Sequence, residues 1–306
     1  MEKKFLHIRN RLGSNHTAVG KMVLSMIIFG SIGFFSERSN LPALELVFVR
    51  CVCASIFLLF VWLLRGKHKQ EKWERKEVMQ TLLCGVCLVL NWVFLFKAFE
   101  ETSITIAISV YHIAPILVLI IGSIVFKEKL TVVSVLSIII CFIGSIFISG
   151  VTKDSSLESI ILSGVIWGAG AAVFYAFTTL LGKGIKNLSS YCITFLQTLL
   201  GVCMLMPFVD FSSFADLTAG NWVIVLMTGF IHTGIVYLLF FDSLRFLSAK
   251  VISILVFLDP FVAIILDIVF TGFRPDIVQT IGTIFIFLAI LLTLIKGKEK
   301  EVIERI

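Results

Sequence analysis

Charge is scarce in this chain. Of its 306 residues, 15% are Asp, Glu, Lys or Arg, against about 25% in soluble domains. Hydrophobic residues make up 58%, and the mean hydropathy is +1.03. That balance excludes a soluble globular protein. Motifs of soluble catalysis are missing as well. There is no Gly-rich phosphate loop for nucleotide chemistry, no HEXXH metal motif and no nucleophile motif around the serines. The seven cysteines all lie in apolar segments. CVC and CGVC lack the His/Cys partners of a zinc site, so no metal, disulfide framework or cofactor is expected. An enzyme is not indicated. The formal charge of +6 is spent on membrane orientation, and no nucleic-acid partner follows from it.

What the chain does have is apolar length. Runs fall at about 20–36, 42–64, 79–99, 104–126, 131–151, 159–181, 189–209, 222–241, 251–271 and 276–295. A membrane-spanning helix needs roughly 20 mostly apolar residues. The runs are too long for strands and do not alternate. The expectation is an all-α integral membrane protein with ten transmembrane helices. The charged N-terminal stretch leads into a run that ends in FFSERSN without a small-residue cleavage motif, so it is read as a retained first helix.

The basic residues orient the array. With the N-terminus cytoplasmic, every Lys and Arg falls inside except Arg38, Arg50, Lys97, Lys153 and Arg274. The loop RGKHKQEKWERKEV (65–78) carries the densest group. This is the positive-inside bias, and it places both termini in the cytoplasm. Anionic membrane lipid is a candidate partner of that loop.

The two halves echo each other. KAFEETSITIAISVYHIAP ends at Pro115, and DSLRFLSAKVISILVFLDP ends at Pro260, 145 residues later. FVR at 48–50 matches FLQ at 195–197, and FG at 29–30 matches WG at 167–168. The predicted repeats are 1–151 and 155–306, joined by VTKDSS. Each holds five spans, an odd number, so the second enters the membrane inverted, a recurring transporter plan.

These blocks, in this order, resemble the EamA-type branch of the drug/metabolite transporter superfamily. The similar features are FGSIGFF in the first helix, LPALELVFVR, NWVFLFKAFEETS and IAPILVLIIGSIVFKEKL, with LDPFVAIILDIVFTGFRPD as the counterpart of the last. The sequence departs from the family at FRPD, where Arg274 stands in place of an acidic residue like Glu128. The resemblance implies a multi-pass cell-membrane protein with a central cavity and alternating access. It also implies a small organic solute, with export of amino acids, metabolites or drugs as the leading reading. Uptake of a cationic amine is the alternative, and an intramembrane enzyme or receptor-like subunit a third. A second copy of the chain is a candidate partner.

Pro115 and Pro260 each remove a backbone donor near mid-membrane, freeing the carbonyls of Tyr111 and Val256. They are read as paired hinges. His112 beside the first, and Asp259 beside the second, are ionisable groups at a depth where such groups face a bundle interior. A packed, hydrogen-bonded histidine is the plain alternative for His112 and for His232. Arg50 lies eight residues into its run. It is either paired with Glu45 or a clamp for an anionic group. Its counterpart Gln197 keeps hydrogen bonding without charge. Tyr111, Asn91, Trp92, Trp167, Tyr175 and Tyr237 are candidates to complete a solute lining, although aromatic residues in membranes more often pack or anchor at the interface. GVIWG at 164–168 suits close helix approach.

Overall fold

The structure is a computed structural model describing residues 2–101, 104–148, 164–270 and 274–303. The expected linker VTKDSS lies outside the described residues. No strand occurs among those described. With no water in a bilayer core, a chain this apolar satisfies its backbone N–H and C=O groups only by coiling into helices. The N-terminal half forms α1 (Glu2–Phe29), α2 (Ile32–Glu37), α3 (Ala43–Leu64), α4 (Arg75–Glu101), α5 (Ile104–Tyr111), α6 (Ala114–Val125) and α7 (Val132–Ile148). The C-terminal half forms α8 (Gly164–Gly184), α9 (Ser190–Leu205), α10 (Ala219–Gly229), a π turn (Phe230–Ile235), α11 (Val236–Leu244), α12 (Ala249–Leu255), α13 (Leu258–Phe270) and α14 (Ile277–Ile303). Seven segments among the described residues are long and apolar enough to cross a membrane, and Ala114–Val125, Val132–Phe147 and Ile277–Leu291 are shorter apolar helices.

The bundle presents Ile56, Phe60, Ile124, Val132, Ile166 and Ile277 on its outside and encloses Arg50, Asn91, His112, Gln197, His232 and Thr233. Polarity is therefore turned inward, as lipid as a solvent requires. α4 packs along α8, α1 along α11, α3 along α9, and α7 along α14. The last pair touches backbone to backbone. A Cβ on Gly144 would lie 2.7 Å from the carbonyl oxygen of Gly282. GVIWG makes a looser approach, since a Cβ on Gly168 would meet Val110 at 3.3 Å.

Two of the apolar runs are broken helices. α5 ends at Tyr111 and α6 begins at Ala114, placing Pro115 in the first turn of the new helix, where it lacks no partner. The second break falls between α12 and α13. Here Asp259 N donates to the carbonyl of Val256 at 3.1 Å. The carbonyl expected to be free is taken up by a tighter turn.

One end of the bundle gathers the basic segments. Carboxylates there accept from backbone N–H groups at helix starts, which are otherwise unpartnered. Glu77 accepts from Lys186 N (3.1 Å), Asn187 N (2.9 Å) and Leu188 N (3.1 Å). Both oxygens of Glu128 accept from Ala249 N, at 3.1 and 2.9 Å, and Lys183 Nζ stands 3.4 Å from the same carboxylate. Glu71 accepts from Ser189 N and Trp62 Nε1, both at 2.9 Å. Lys21 pairs with Asp242. At the opposite end Glu100 accepts from Ala43 N at 2.5 Å, and Asn221 reaches the carbonyl of Arg38 at 3.1 Å. In the loop before α10, Ser212 donates to Asp210 and holds that carboxyl below its usual range.

The Gly144 contact is directly testable. Replacing Gly144 by Leu forces α7 off α14, and overpacking of this kind costs about 1–3 kcal/mol. The expected result is a lower melting temperature in detergent; an unchanged one contradicts the backbone-to-backbone contact.

Candidate functional site

The centre of the bundle is an aromatic cluster with charge at its edges. On α4, Trp92 Nε1 donates to the hydroxyl of Tyr237 on α11 at 2.6 Å, and the two rings meet edge to face at 5.1 Å. Phe29 of α1 packs on Tyr237 at 5.0 Å. Asn91, one residue before Trp92 and so rotated to a neighbouring face, donates to the carbonyl of Ala171 (2.8 Å) and the hydroxyl of Tyr111 (3.3 Å). Tyr111 in turn meets Tyr175 of α8 at 5.5 Å. The helix break after Tyr111 sets that ring against α8.

Asp259 lies beside this cluster. The link is the end of α1, where Phe29 packs on Tyr237 and the next residue, Gly30, meets the backbone of Asp259. The residue is only part-buried, yet Oδ1 is inaccessible and has no hydrogen-bond partner, and the hydroxyl of Tyr175 has none either. α1 approaches this turn closely because position 30 is glycine: a Cβ there would sit 2.7 Å from the carbonyl oxygen of Asp259 and 2.8 Å from Val262.

Arg50 stands on the other flank of Trp92. It is 1% exposed. Its guanidinium carbon lies 5.3 Å from the Trp92 ring centre and 5.0 Å from that of Phe96. Nε donates to Thr233 Oγ1 at 3.0 Å, and Nη1 has no partner. The expected alternative, a pair with Glu45, is not formed. Glu45 accepts instead from Asp210 N at 3.0 Å, because α3 carries the two residues more than a turn apart.

The remaining candidates are placed apart from this centre. His112 follows the packed alternative: Ser145 Oγ of α7 lies 2.7 Å from Nδ1, and Phe257 stacks on the ring at 5.6 Å. His232 Nε2 lies 2.8 Å from Ser31 Oγ, with Phe35 at 5.0 Å, while Nδ1 is unpartnered. Trp167 packs edge-on against Phe94 at 5.0 Å. Gln197 is fully buried against Gly85, its amide without hydrogen-bond partners. Among the described residues no group of three His, Cys, Asp or Glu is placed to hold a metal ion. Sequence reasoning did not find Thr233, Ser145 or Ser31. The one local signal for Thr233 was the pair of glycines, 229 and 234, bracketing it.

An apolar multi-helix bundle with charge buried at its centre defines a multi-pass membrane protein with a polar interior, the architecture of a transporter. The comparisons state the class by family. The chain matches the EamA-like transporter family model over residues 16–150 and again over 162–295, and it belongs to that family. It is 66% identical over 284 residues to "Uncharacterized transporter YxxF" of Bacillus subtilis (strain 168), covering 93% of this chain and 91% of that one. A second relative, an "Uncharacterized transporter" of Clostridium kluyveri, is 20% identical over 89% of each chain. A crystal structure superposes with a TM-score of 0.78 over 94% of this chain and 99% of that chain, at 14% identity, which speaks to the fold alone. The chain is a multi-pass transporter-family protein of the cell membrane.

The His112–Ser145 contact sets an expectation for a double-mutant cycle. Ser145→Ala and His112→Leu, singly and together, are expected to couple by about 1 kcal/mol in thermal unfolding. Strict additivity would mean that the two side chains do not bond.

Proposed function

We propose that this protein is a secondary transporter of small organic solutes. In this reading ten spans form two inverted five-helix repeats, residues 1–151 and 155–306, with both termini cytoplasmic. The halves rock about a central site, and the breaks at Pro115 and Pro260 are the hinges. Several contacts support the repeat. Trp92 bonds to Tyr237, 145 residues on, and His112 stacks on Phe257, also 145 residues on. These are the offsets of the two prolines. Contacts between equivalent positions arise where a two-fold axis passes. The doubled family match supports the same division. The end that gathers the basic loops is taken as cytoplasmic.

The observation that carries the transport reading is a pair of ionisable side chains left without a partner. Arg50 and Asp259 sit inside an apolar bundle, neither with an ion-pair partner among the described residues. Buried charge is expensive in a bilayer unless it faces a pathway or a ligand. Trp92, Tyr237, Tyr111 and Asn91 link the two, so a solute meeting both would lie on an aromatic surface. His232, Gln197 and Trp167 belong to the outer lining of the pathway. Export is the direction proposed, on family resemblance. The tyrosines around Asp259 also favour a second reading, uptake of a cationic amine held by cation–π contact. That reading gives Arg50 no role.

Purified protein in proteoliposomes, with and without a pH gradient, decides between these. Saturable flux of at least one metabolite is expected. Asp259→Asn should cut it about tenfold or more, equivalent to about 1.4 kcal/mol. Flux lost in Asp259→Asn but untouched in Arg50→Gln selects the amine reading. Undiminished flux in both variants removes the site assignment.

A further inference from the structure

The π turn at Phe230–Ile235 interrupts the long span Ala219–Leu244, which is built from three consecutive segments. Single π turns inside α-helices concentrate at functional sites, because the extra residue re-aims a side chain. Here the re-aimed side chain is Thr233. Its hydroxyl donates to the carbonyl of Thr228, five residues back, at 3.1 Å. An ordinary helix would bond four back. Its free lone pair accepts Arg50 Nε at 3.0 Å. α3 fits against the turn because position 229 is glycine: a Cβ there would lie 2.4 Å from that of Cys53 and 3.6 Å from the Cα of Arg50. The guanidinium is thus held on one edge by a neutral oxygen and on its sides by Trp92 and Phe96. Among the described residues no ion-pair partner neutralises it, and Nη1 is buried without a hydrogen-bond partner.

A structural arginine in this setting would be paired, since an unpaired buried charge is strongly unfavourable. Held in place and left unneutralised, it is preorganised for a ligand. We propose that Arg50 is the receptor for a carboxylate group on the solute, with Thr233 as the positioning residue that aims it. This rests on the transport reading above. Carboxylate fits better than phosphate for two reasons. A single negative charge balances the guanidinium in a low-dielectric site, whereas a dianion leaves one charge bare. A planar two-oxygen acceptor also matches the in-plane N–H groups left between two aromatic rings. The equivalent position in the second half is the neutral Gln197, so only one end of the solute needs to be anionic.

The test uses the full chain purified in detergent, with millimolar phenylacetate and its neutral isostere phenylacetamide as probes. Phenylacetate is expected to raise the melting temperature by several degrees, since a ligand of the native state stabilises it, and phenylacetamide to leave it unmoved. Arg50→Gln should melt higher than the parent without ligand, because an unmet buried charge is removed, and should lose the phenylacetate shift. Thr233→Val should weaken phenylacetate binding about tenfold, and Thr233→Ser, which keeps the hydroxyl, should restore it. Arg50→Lys, which keeps charge without the fork, should retain only part of the shift. Equal shifts with both probes, no shift with either, or an Arg50→Gln variant that melts lower than the parent each overturn the proposal. Phenylacetate binding without flux in proteoliposomes removes the transport reading and leaves the receptor. Flux that persists in Arg50→Gln removes the receptor and leaves transport.

Discussion

Lipid cannot hydrogen-bond, and the rest of this structure follows from that constraint. Every N–H and C=O within the span must find an internal partner, so the chain is helical wherever it is apolar. Side chains obey the same constraint. Polar groups turn inward, where Asn91 reaches the carbonyl of Ala171, Ser55 reaches Thr198, and Ser145 reaches His112. With no hydrophobic force to press helices together inside lipid, contact depends on close packing. Gly144 against Gly282 is one example, and Gly201 against Cys51 another.

The two ends and the middle solve the constraint differently. At the basic end, carboxylates satisfy N–H groups at helix starts: Glu77 takes three in succession, and Glu128 takes Ala249. Charge-assisted bonds of this kind are the stronger class, so they tie the helices of that end together. At mid-span the helices break instead, at Tyr111–Ala114 and Leu255–Leu258, and a π turn disturbs a third. The irregular backbone is where Tyr111, Asp259 and Thr233 are set toward the interior. Departure from regular helix and these inward side chains coincide, as expected where non-helical backbone at membrane depth is shielded by protein.

The central chemistry is divided rather than pooled. Asp259 meets α1 at Gly30, and Arg50 is flanked by an indole, a phenyl ring and a threonine hydroxyl. Trp92, beside Arg50, bonds to Tyr237. Arg50 and Asp259 each keep a buried atom without a hydrogen-bond partner among the described residues. His112, by contrast, is sealed by Ser145 and Phe257. Its depth suggested function, but its bonding is complete on the face that Ser145 meets.

Much of the fold was legible in the residues. Apolar run length announced helices in a membrane, lysine and arginine placement announced the common end, and the repeated proline announced two breaks. These are local properties of covalent geometry and transfer free energy, and they survive in a linear string. Arg50, Asp259, Trp92, Tyr237, Tyr111 and Asn91 could be named for the same reason, since polar residues in apolar runs are conspicuous. Their pairings could not. The five-residue spacing on α3 sets Glu45 and Arg50 on different faces, but that Arg50 meets Thr233 depends on which face of α3 meets the π turn. The role of Ser145 depends on α7 crossing behind the break, 33 residues away in sequence. Residue type determined that charge would be buried in this protein; only the packing of helices decided which charges were answered and which were left open.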